Sequence, residues 1–174
     1  MADSVLKNSD SDDGGTYQEQ LMEQYKLYVE MADRISGRRG NANSFFLMVI
    51  TVLVSTTGIV FGFGSQDTLV LGGWLVIVSI SGTTFCFTWY RTLESYRQLS
   101  SGKFKVIHRI EKKLPIALYS EEWKELGEGK NPKLYRKLTD VERWVPSLFG
   151  ILFVVLLVLG MVVLAPSILQ TLYP

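Results

Sequence analysis

Three long stretches of the sequence contain no charged side chain. Residues 45–64, 68–90 and 145–174 lack Asp, Glu, Lys and Arg, although the 174-residue chain carries 18 basic and 17 acidic residues. An α-helix rises about 1.5 Å per residue, so about 20 apolar residues cross the roughly 30 Å hydrocarbon core of a bilayer. The pattern predicts an all-α membrane protein with three transmembrane helices and cytoplasmic helical extensions.

The polar residues around these stretches predict how the rest of the chain is organised. Overall composition decides little, because 47% hydrophobic residues and a net charge of +1 would also suit a small soluble domain. The order of apolar and polar stretches predicts six segments. They are a disordered acidic tail at residues 1–15, a cytoplasmic amphipathic helix at 16–44, a transmembrane hairpin at 45–90, a cytoplasmic helical segment at 91–144, a third transmembrane helix at 145–169 and an external C-terminus at 170–174.

The basic residues are confined to two regions of the chain. All 18 Lys and Arg residues fall within residues 1–44 or 91–144. If residues 45–90 form a hairpin, both regions lie on one side of the membrane, and the positive-inside rule makes that side cytoplasmic. The predicted topology in the cytoplasmic (inner) membrane has the N-terminus inside and the C-terminus outside.

The first polar region contains an apolar stripe at helical spacing. Its members are spaced 4, 4, 3, 4 and 3 residues apart, which places them on one side of a helix. They are Tyr17, Leu21, Tyr25, Tyr28, Ala32 and Ile35. The stripe needs a partner, and the sequence leaves two open: the chain's own second cytoplasmic segment, or a neighbouring copy in an oligomer. Gly37 and Gly40 follow the stripe and predict a bend or break before the membrane.

The second polar region predicts a long helix followed by a short one. The helix of the second span can continue to Lys113, and Leu114 should end it because a residue before proline is driven out of the helical region. Ser120 is a suitable N-cap for a short helix over residues 121–126. The region has 54 residues, too few for a secure core of its own, so we expect it to lean on other segments or subunits.

Basic side chains cluster in these polar regions close to the predicted spans. We interpret them as determinants of topology and contacts for anionic lipid, where each charge near the surface contributes about 1 kcal/mol. The second region also contains eight acidic residues, which reduce the positive electrostatic potential that would attract a polyanion. We therefore expect no nucleic acid partner. The candidate residues are Arg38, Arg39, Lys103, Lys105 and Arg109, with Lys112 and Lys113 nearby.

One histidine and one cysteine limit the chemistry that the chain can carry. His108 is the only histidine, so one chain offers neither a multi-histidine metal site nor a conventional triad with a histidine to spare. Cys86 lies inside the second apolar stretch, where a thiol behaves as a small hydrophobe. We expect no metal site, no cofactor and no enzymatic activity.

Small residues mark two of the spans. Gly58 and Gly62 form a GxxxG pattern, which lets helices approach closely. The second span carries small and polar residues, namely Ser79, Ser81, Gly82, Thr83 and Thr84. Helix packing is the simpler interpretation of both sets. A Ser/Thr-lined path between subunits is the alternative, and it would need several chains because three helices are too few to enclose it.

Short stretches between about residues 20 and 150 follow the pattern of a known family. They are residues 25–30, 32–36, 38–39, 42–46, 89–90, 95–99, 102–107, 114–115, 122–123 and 142–146. Together they resemble the RipA family of small bacterial membrane proteins. Similarity to the two-span effector domains of bacterial antiphage systems is weaker, because the third span departs from that pattern.

The RipA resemblance implies a homo-oligomer, an octamer, in the cytoplasmic membrane, with a role in adaptation to stress or to an intracellular niche. It implies no catalytic residues. We therefore favour a homo-oligomeric, ring-like membrane assembly. The alternative is a ligand-gated pore or a membrane-permeabilising immune effector. An enzyme with composite sites between subunits is a third hypothesis, and loss of turnover on mutating His108 would be its first support.

Overall fold

Helices account for almost all of the described structure. The computed structural model describes residues 14–64, 67–131, 133–135 and 138–172, so most of the predicted acidic tail and residues 173–174 of the predicted external C-terminus lie outside the described residues. The helices are α1 (Gly14–Phe63), α2 (Thr68–Glu111), α3 (Leu118–Glu125) and α4 (Leu138–Leu172), with a short 3₁₀ helix at Gly127–Gly129.

Three of these helices are long and apolar enough to cross a membrane. They are α1, α2 and α4, and no strand occurs among the described residues, so the predicted all-α fold with three spans is confirmed. The helices differ in how much the chain itself covers. A third of the most apolar stretch of α2 is buried, against about a tenth of the corresponding stretches of α1 and α4. Within the chain, α2 is the most enclosed span.

The first helix is uninterrupted over 50 residues. The predicted break at Gly37 and Gly40 is wrong, because α1 continues through both positions. A Cβ at either glycine would meet nothing within 4 Å. A glycine inside a helix costs only about 1 kcal/mol relative to alanine, and the helical turns on both sides keep the hydrogen-bond ladder intact.

The chain divides into two compact units. The polar unit contains described residues of 14–36 and 98–135, and the span unit contains those of 37–97 and 138–172. The span unit has an apolar core in which the rings of Phe46 and Trp89 stack with their centroids 5.8 Å apart. Trp89 also donates its indole N–H to Asn43 Oδ1 at 2.8 Å. The buried core residues are Phe46, Ile50, Val78, Cys86, Trp89, Leu93 and Phe153.

Candidate functional site

A carboxylate is buried in the polar unit. Glu111, the last residue of α2, is only 1% exposed. An ionised carboxylate that loses its water must be compensated by hydrogen bonds or opposite charge, because uncompensated burial is very costly. The burial of Glu111 therefore requires polar partners around its carboxylate.

Four donors surround this carboxylate. Tyr25 Oη lies 3.1 Å from Glu111 Oε1, and the backbone N–H of Tyr119 donates to the same oxygen at 2.8 Å. The backbone N–H of Ser120 donates to Oε2 at 3.1 Å, and His108 Nδ1 lies 3.3 Å from Oε2. An ionised carboxylate only accepts hydrogen bonds, so the contact with His108 requires the proton on Nδ1. We call these five residues the Glu111 cluster.

The cluster shifts the acidity of two of its members. Burial by itself would raise the pKa of Glu111, but the hydrogen bonds from the Tyr119 amide, His108, Tyr25 and the Ser120 amide together outweigh it and lower that pKa. Burial, together with the bond to Glu111 and its charge, raises the pKa of Tyr25 to about 12. The cluster thus consists of a charged carboxylate and a neutral phenol.

Glu111 also caps the start of α3. The predicted start at Ser120 is wrong, because α3 begins at Leu118 and its N-cap, Ala117, provides no side-chain cap. The first amides of a helix lack partners within it, and the helix dipole favours negative charge there. Two of these amides, those of Tyr119 and Ser120, donate to Glu111 instead. A residue of the preceding helix performs the capping that sequence spacing assigned to a local serine.

Ser120, His108 and Glu111 do not have the geometry of a catalytic triad. Ser120 Oγ lies 3.1 Å from His108 Nδ1, the same ring nitrogen that contacts Glu111. In a triad the hydroxyl and the carboxylate contact opposite nitrogens of the imidazole. Among the described residues, no group of three or more His, Cys, Asp or Glu side chains has a metal-binding arrangement. The hydrogen bonds of Glu111 link α2 to α1 and α3.

The apolar stripe of α1 lies on the less exposed side of that helix. Leu21 and Ile35 are buried, and the other four members are half-buried. Tyr25 bonds to Glu111, and the ammonium of Lys103 lies 4.5 Å from the centroid of the Tyr28 ring. The two tyrosines thus contact α2 of their own chain, the first of the two partners considered above. Contact of the stripe with a neighbouring copy stays a prediction.

The candidate lipid-binding residues fall into different environments. Lys105 and Arg109 are exposed, as is Arg38. Arg39 instead lies 3.5 Å from Glu142, and both side chains are largely buried. A charge that is paired and shielded has less to offer a lipid headgroup than an exposed one. Lipid contact stays a prediction for the whole set.

Two ion pairs link the helices of the span unit. Arg39 of α1 pairs with Glu142 of α4, and Arg143 of α4 pairs with Glu94 of α2. Arg143 also lies over the ring of Tyr90, 5.4 Å from its centroid. These side chains are one-sixth to one-quarter exposed, so screening by water is reduced. The pairs join α4 to both of the other span helices.

The small residues of the spans occupy two kinds of surface. Gly58 and Gly62 are exposed, and a Cβ at either would meet nothing within 4 Å. A Cβ at Gly82 would lie 2.5 Å from the ring of Phe153, so α2 and α4 require glycine there. Gly72 and Gly160, which sequence reasoning missed, have the same role, because a Cβ at these positions would lie within 3 Å of a side chain of the other helix.

The hydroxyl residues of the second span do not share one surface. Ser79 is fully buried, and neither its hydroxyl nor that of Thr83 has a hydrogen-bond partner among the described residues. Thr84 is exposed, but its hydroxyl donates to the Ile80 carbonyl at 2.8 Å. Ser81 is half-buried. Helices in membranes often satisfy Thr hydroxyls in the way that Thr84 does.

Helix composition and architecture define the class of this chain: it is an α-helical membrane protein with three spans and a polar helical unit. The model of the octameric membrane protein family (8xMP) matches residues 22–162, and the chain belongs to that family. The match covers the first two spans, most of the third and the whole Glu111 cluster. No curated protein and no solved structure matches the chain.

Proposed function

We propose that the chain assembles into a ring-shaped homo-octamer in the cytoplasmic membrane, with the N-terminus inside and the C-terminus outside. The family supplies the octamer. Copies inserted by the same charge rule share one orientation, so the closed symmetry available to eight of them is a rotation about the membrane normal, which generates a ring.

The exposed GxxxG surface of α1 supports contacts between copies. Gly58 and Gly62 share one side of the helix and are exposed, and a Cβ built at either would meet nothing within 4 Å. Without a hydrophobic driving force in lipid, spans associate through close packing at small residues. This surface is the single observation of the structure that carries the proposal.

The biological role that we propose is adaptation to stress or to an intracellular niche. The RipA resemblance supports this role. We propose that the function of the ring is structural rather than enzymatic. We also propose anionic lipids as partners, through the exposed Arg38, and no nucleic acid partner. Survival of a deletion strain under acid, oxidative and host-cell stress, complemented by the wild-type gene, tests the role.

Mass and symmetry test the assembly directly. We expect the protein in lipid nanodiscs to have the mass of eight 19.7 kDa chains and to average into an eightfold ring by electron microscopy. A detergent-corrected mass of one chain would contradict the octamer. Labelling of cysteines introduced at residue 8 and residue 170 in sealed vesicles tests the topology, and reaction of both from the same side would contradict it.

A pore or permeabilising effector is the competing function. Liposomes that contain the purified octamer separate the two, because a pore gives conductance or dye release whereas a purely structural ring gives neither. We expect no leakage across a range of pH and voltage. Leakage that disappears on replacing Thr84 with Val would favour the pore.

A further inference from the structure

An acidic groove lies on the surface of the polar unit, with a volume of about 630 Å³. Its apolar and aromatic lining includes Tyr25, Val29, Leu118 and Tyr119. Three carboxylates and one lysine also line it, and although one carboxylate, Glu30, is paired with Arg34 at 2.7 Å, the remaining charge is negative. Asp33 and Glu122 are exposed carboxylates of the groove with no ion-pair partner among the described residues.

A basic stripe lies on a different side of the same unit. Lys105 and Arg109 are four residues apart in the last turns of α2, so they share one side of the helix, and Lys112 follows in the turn directly after it. All three are exposed, and none has an ion-pair partner among the residues that the structure describes. Ile107 and Glu111, which are buried, lie on the opposite side of α2. The stripe therefore points away from the packing of its own polar unit.

We infer that the basic stripe of one copy binds the acidic groove of the next copy around the ring. This inference rests on the proposed octamer and names the surfaces that join its polar units. Because the stripe and the groove are different surfaces, the contact is heterologous, and contacts of this kind form a ring when the rotation from copy to copy closes, as it does in the proposed octamer.

The chemistry of the two surfaces matches. Aliphatic stems of Lys and Arg cover apolar area while their charged ends reach out to carboxylates, and a guanidinium stacks well on a tyrosine ring. Tyr25 and Tyr119 supply such rings beside the carboxylates of Asp33 and Glu122. Complementary charge also fixes which surfaces meet.

Anionic lipid and the N-terminal residues of the chain are two other possible partners, but neither accounts for both the stripe and the groove. Anionic lipid would neutralise the stripe but leave the groove without a partner of opposite charge. The N-terminal residues 1–13 carry four Asp and one Lys, so the groove would repel them. A second copy is the one occupant that accounts for both surfaces.

Reversing the charge of each surface tests the inference. One variant carries Asp33→Lys and Glu122→Lys, and the other carries Lys105→Glu and Arg109→Glu. Each alone places like charges at every contact, so we expect loss of the octamer at dilutions where the wild type stays intact, measured by native mass spectrometry. Co-expression restores complementary contacts, and we expect an octamer of alternating copies. The matched control, Glu23→Lys with Glu125→Lys, changes exposed carboxylates outside the groove and should leave the octamer intact.

Cross-linking provides a second measurement if a reversed variant fails to fold. A chain with Asp33→Cys and Arg109→Cys, treated with a short bismaleimide, should give a ladder up to eight chains, whereas a two-fold contact would stop at dimers. The wild type, whose one cysteine is buried, is the control.

The outcomes separate this inference from the proposal on which it rests. A wild-type protein that is not an octamer would contradict the proposed function itself. A wild-type octamer that withstands both reversals and gives no ladder would overturn the inference alone. If stripe reversal removes only co-purified anionic lipid, the stripe is a lipid site and the inference is wrong.

Discussion

Tyr25 and Glu111 are 86 positions apart in sequence, yet the Tyr25 hydroxyl donates to a Glu111 carboxylate oxygen at 3.1 Å. This bond joins α1 to the end of α2 inside the polar unit. The same carboxylate receives the first amides of α3, so one side chain ties three helices together.

Glu111→Gln should loosen α3. The glutamine has the size of the glutamate side chain but no charge. Its NH₂ group would replace a carboxylate oxygen that now accepts hydrogen bonds, so two donors would face each other there. Hydrogen bonds to charged groups contribute about 1.5–3 kcal/mol each, so we expect a loss of about 3 kcal/mol in stability of the polar unit. Amide hydrogen exchange at Tyr119 and Ser120 measures it. Glu125→Gln, an exposed change on α3, should leave that exchange unaltered.

Tyr25→Phe should destabilise the polar unit less than Glu111→Gln. It removes one donor and leaves the carboxylate three others, for a cost of about 1.5 kcal/mol, at the low end for a hydrogen bond to a charged group. Chemical denaturation followed by tyrosine and tryptophan fluorescence measures it. Tyr28→Phe is the matched control, because the Tyr28 ring lies beneath Lys103 and the removed hydroxyl takes no part in that contact. Equal losses in both variants would contradict the assigned role of Tyr25.

Acid should release α3 from its cap. The folded-state pKa of Glu111 is lowered from its ordinary 4.5, so its contribution is fully present above that value and is lost as pH falls through the lower folded-state pKa. We expect limited proteolysis near α3, with an acid-active protease, to accelerate below about pH 4.5 in the wild type. Glu111→Gln should already be cleaved rapidly at pH 6 and show little further change in that interval.

Gly82→Val should disturb the span unit far more than Gly58→Val. The first side chain would collide with Phe153, and overpacking of this kind costs about 1–3 kcal/mol. At Gly58 an added Cβ meets nothing within 4 Å in its own chain. Thermal unfolding in detergent should therefore separate the two variants. The mass of the Gly58→Val assembly reports independently on contacts between copies, and an intact octamer would contradict a role for GxxxG there.

Glu94 and Arg143 should show coupled effects. Glu94→Gln leaves a shielded guanidinium without its partner, and Arg143→Gln does the reverse. We expect the double variant to be less destabilised than the sum of the two single variants by about 1 kcal/mol. Additive losses in a double-mutant cycle would show that the ion pair contributes nothing.

The spans were predictable because charge is excluded from hydrocarbon, a constraint that acts on each segment separately. The helical stripe was predictable for a similar reason, since its period is local. The start of α3 was not, because its cap comes from Glu111, seven residues before Leu118, and nothing in the spacing marks that glutamate as buried. A signal was nevertheless present: α3 begins after a proline-containing loop with no Ser, Thr, Asp or Asn at the N-cap position.

The glycines of the spans also show that local spacing does not reveal contacts between helices. Gly58 and Gly62 stand out as a motif, yet Gly72, Gly82 and Gly160 are the glycines that the chain's own packing requires. A motif records spacing along one helix, whereas close approach depends on what the facing helix carries, which at Gly82 is Phe153.

The enclosure of α2 has an evolutionary consequence. Substitutions in α2 must satisfy contacts with both other spans, so among related sequences α2 should change slowly whatever the assembly. The exposed sides of α1 and α4 make few contacts with their own chain, so these contacts do not restrict substitutions there. Any position there that varies as little as α2 is restrained by something other than this polypeptide's own fold, and a comparison of related sequences would reveal where copies meet.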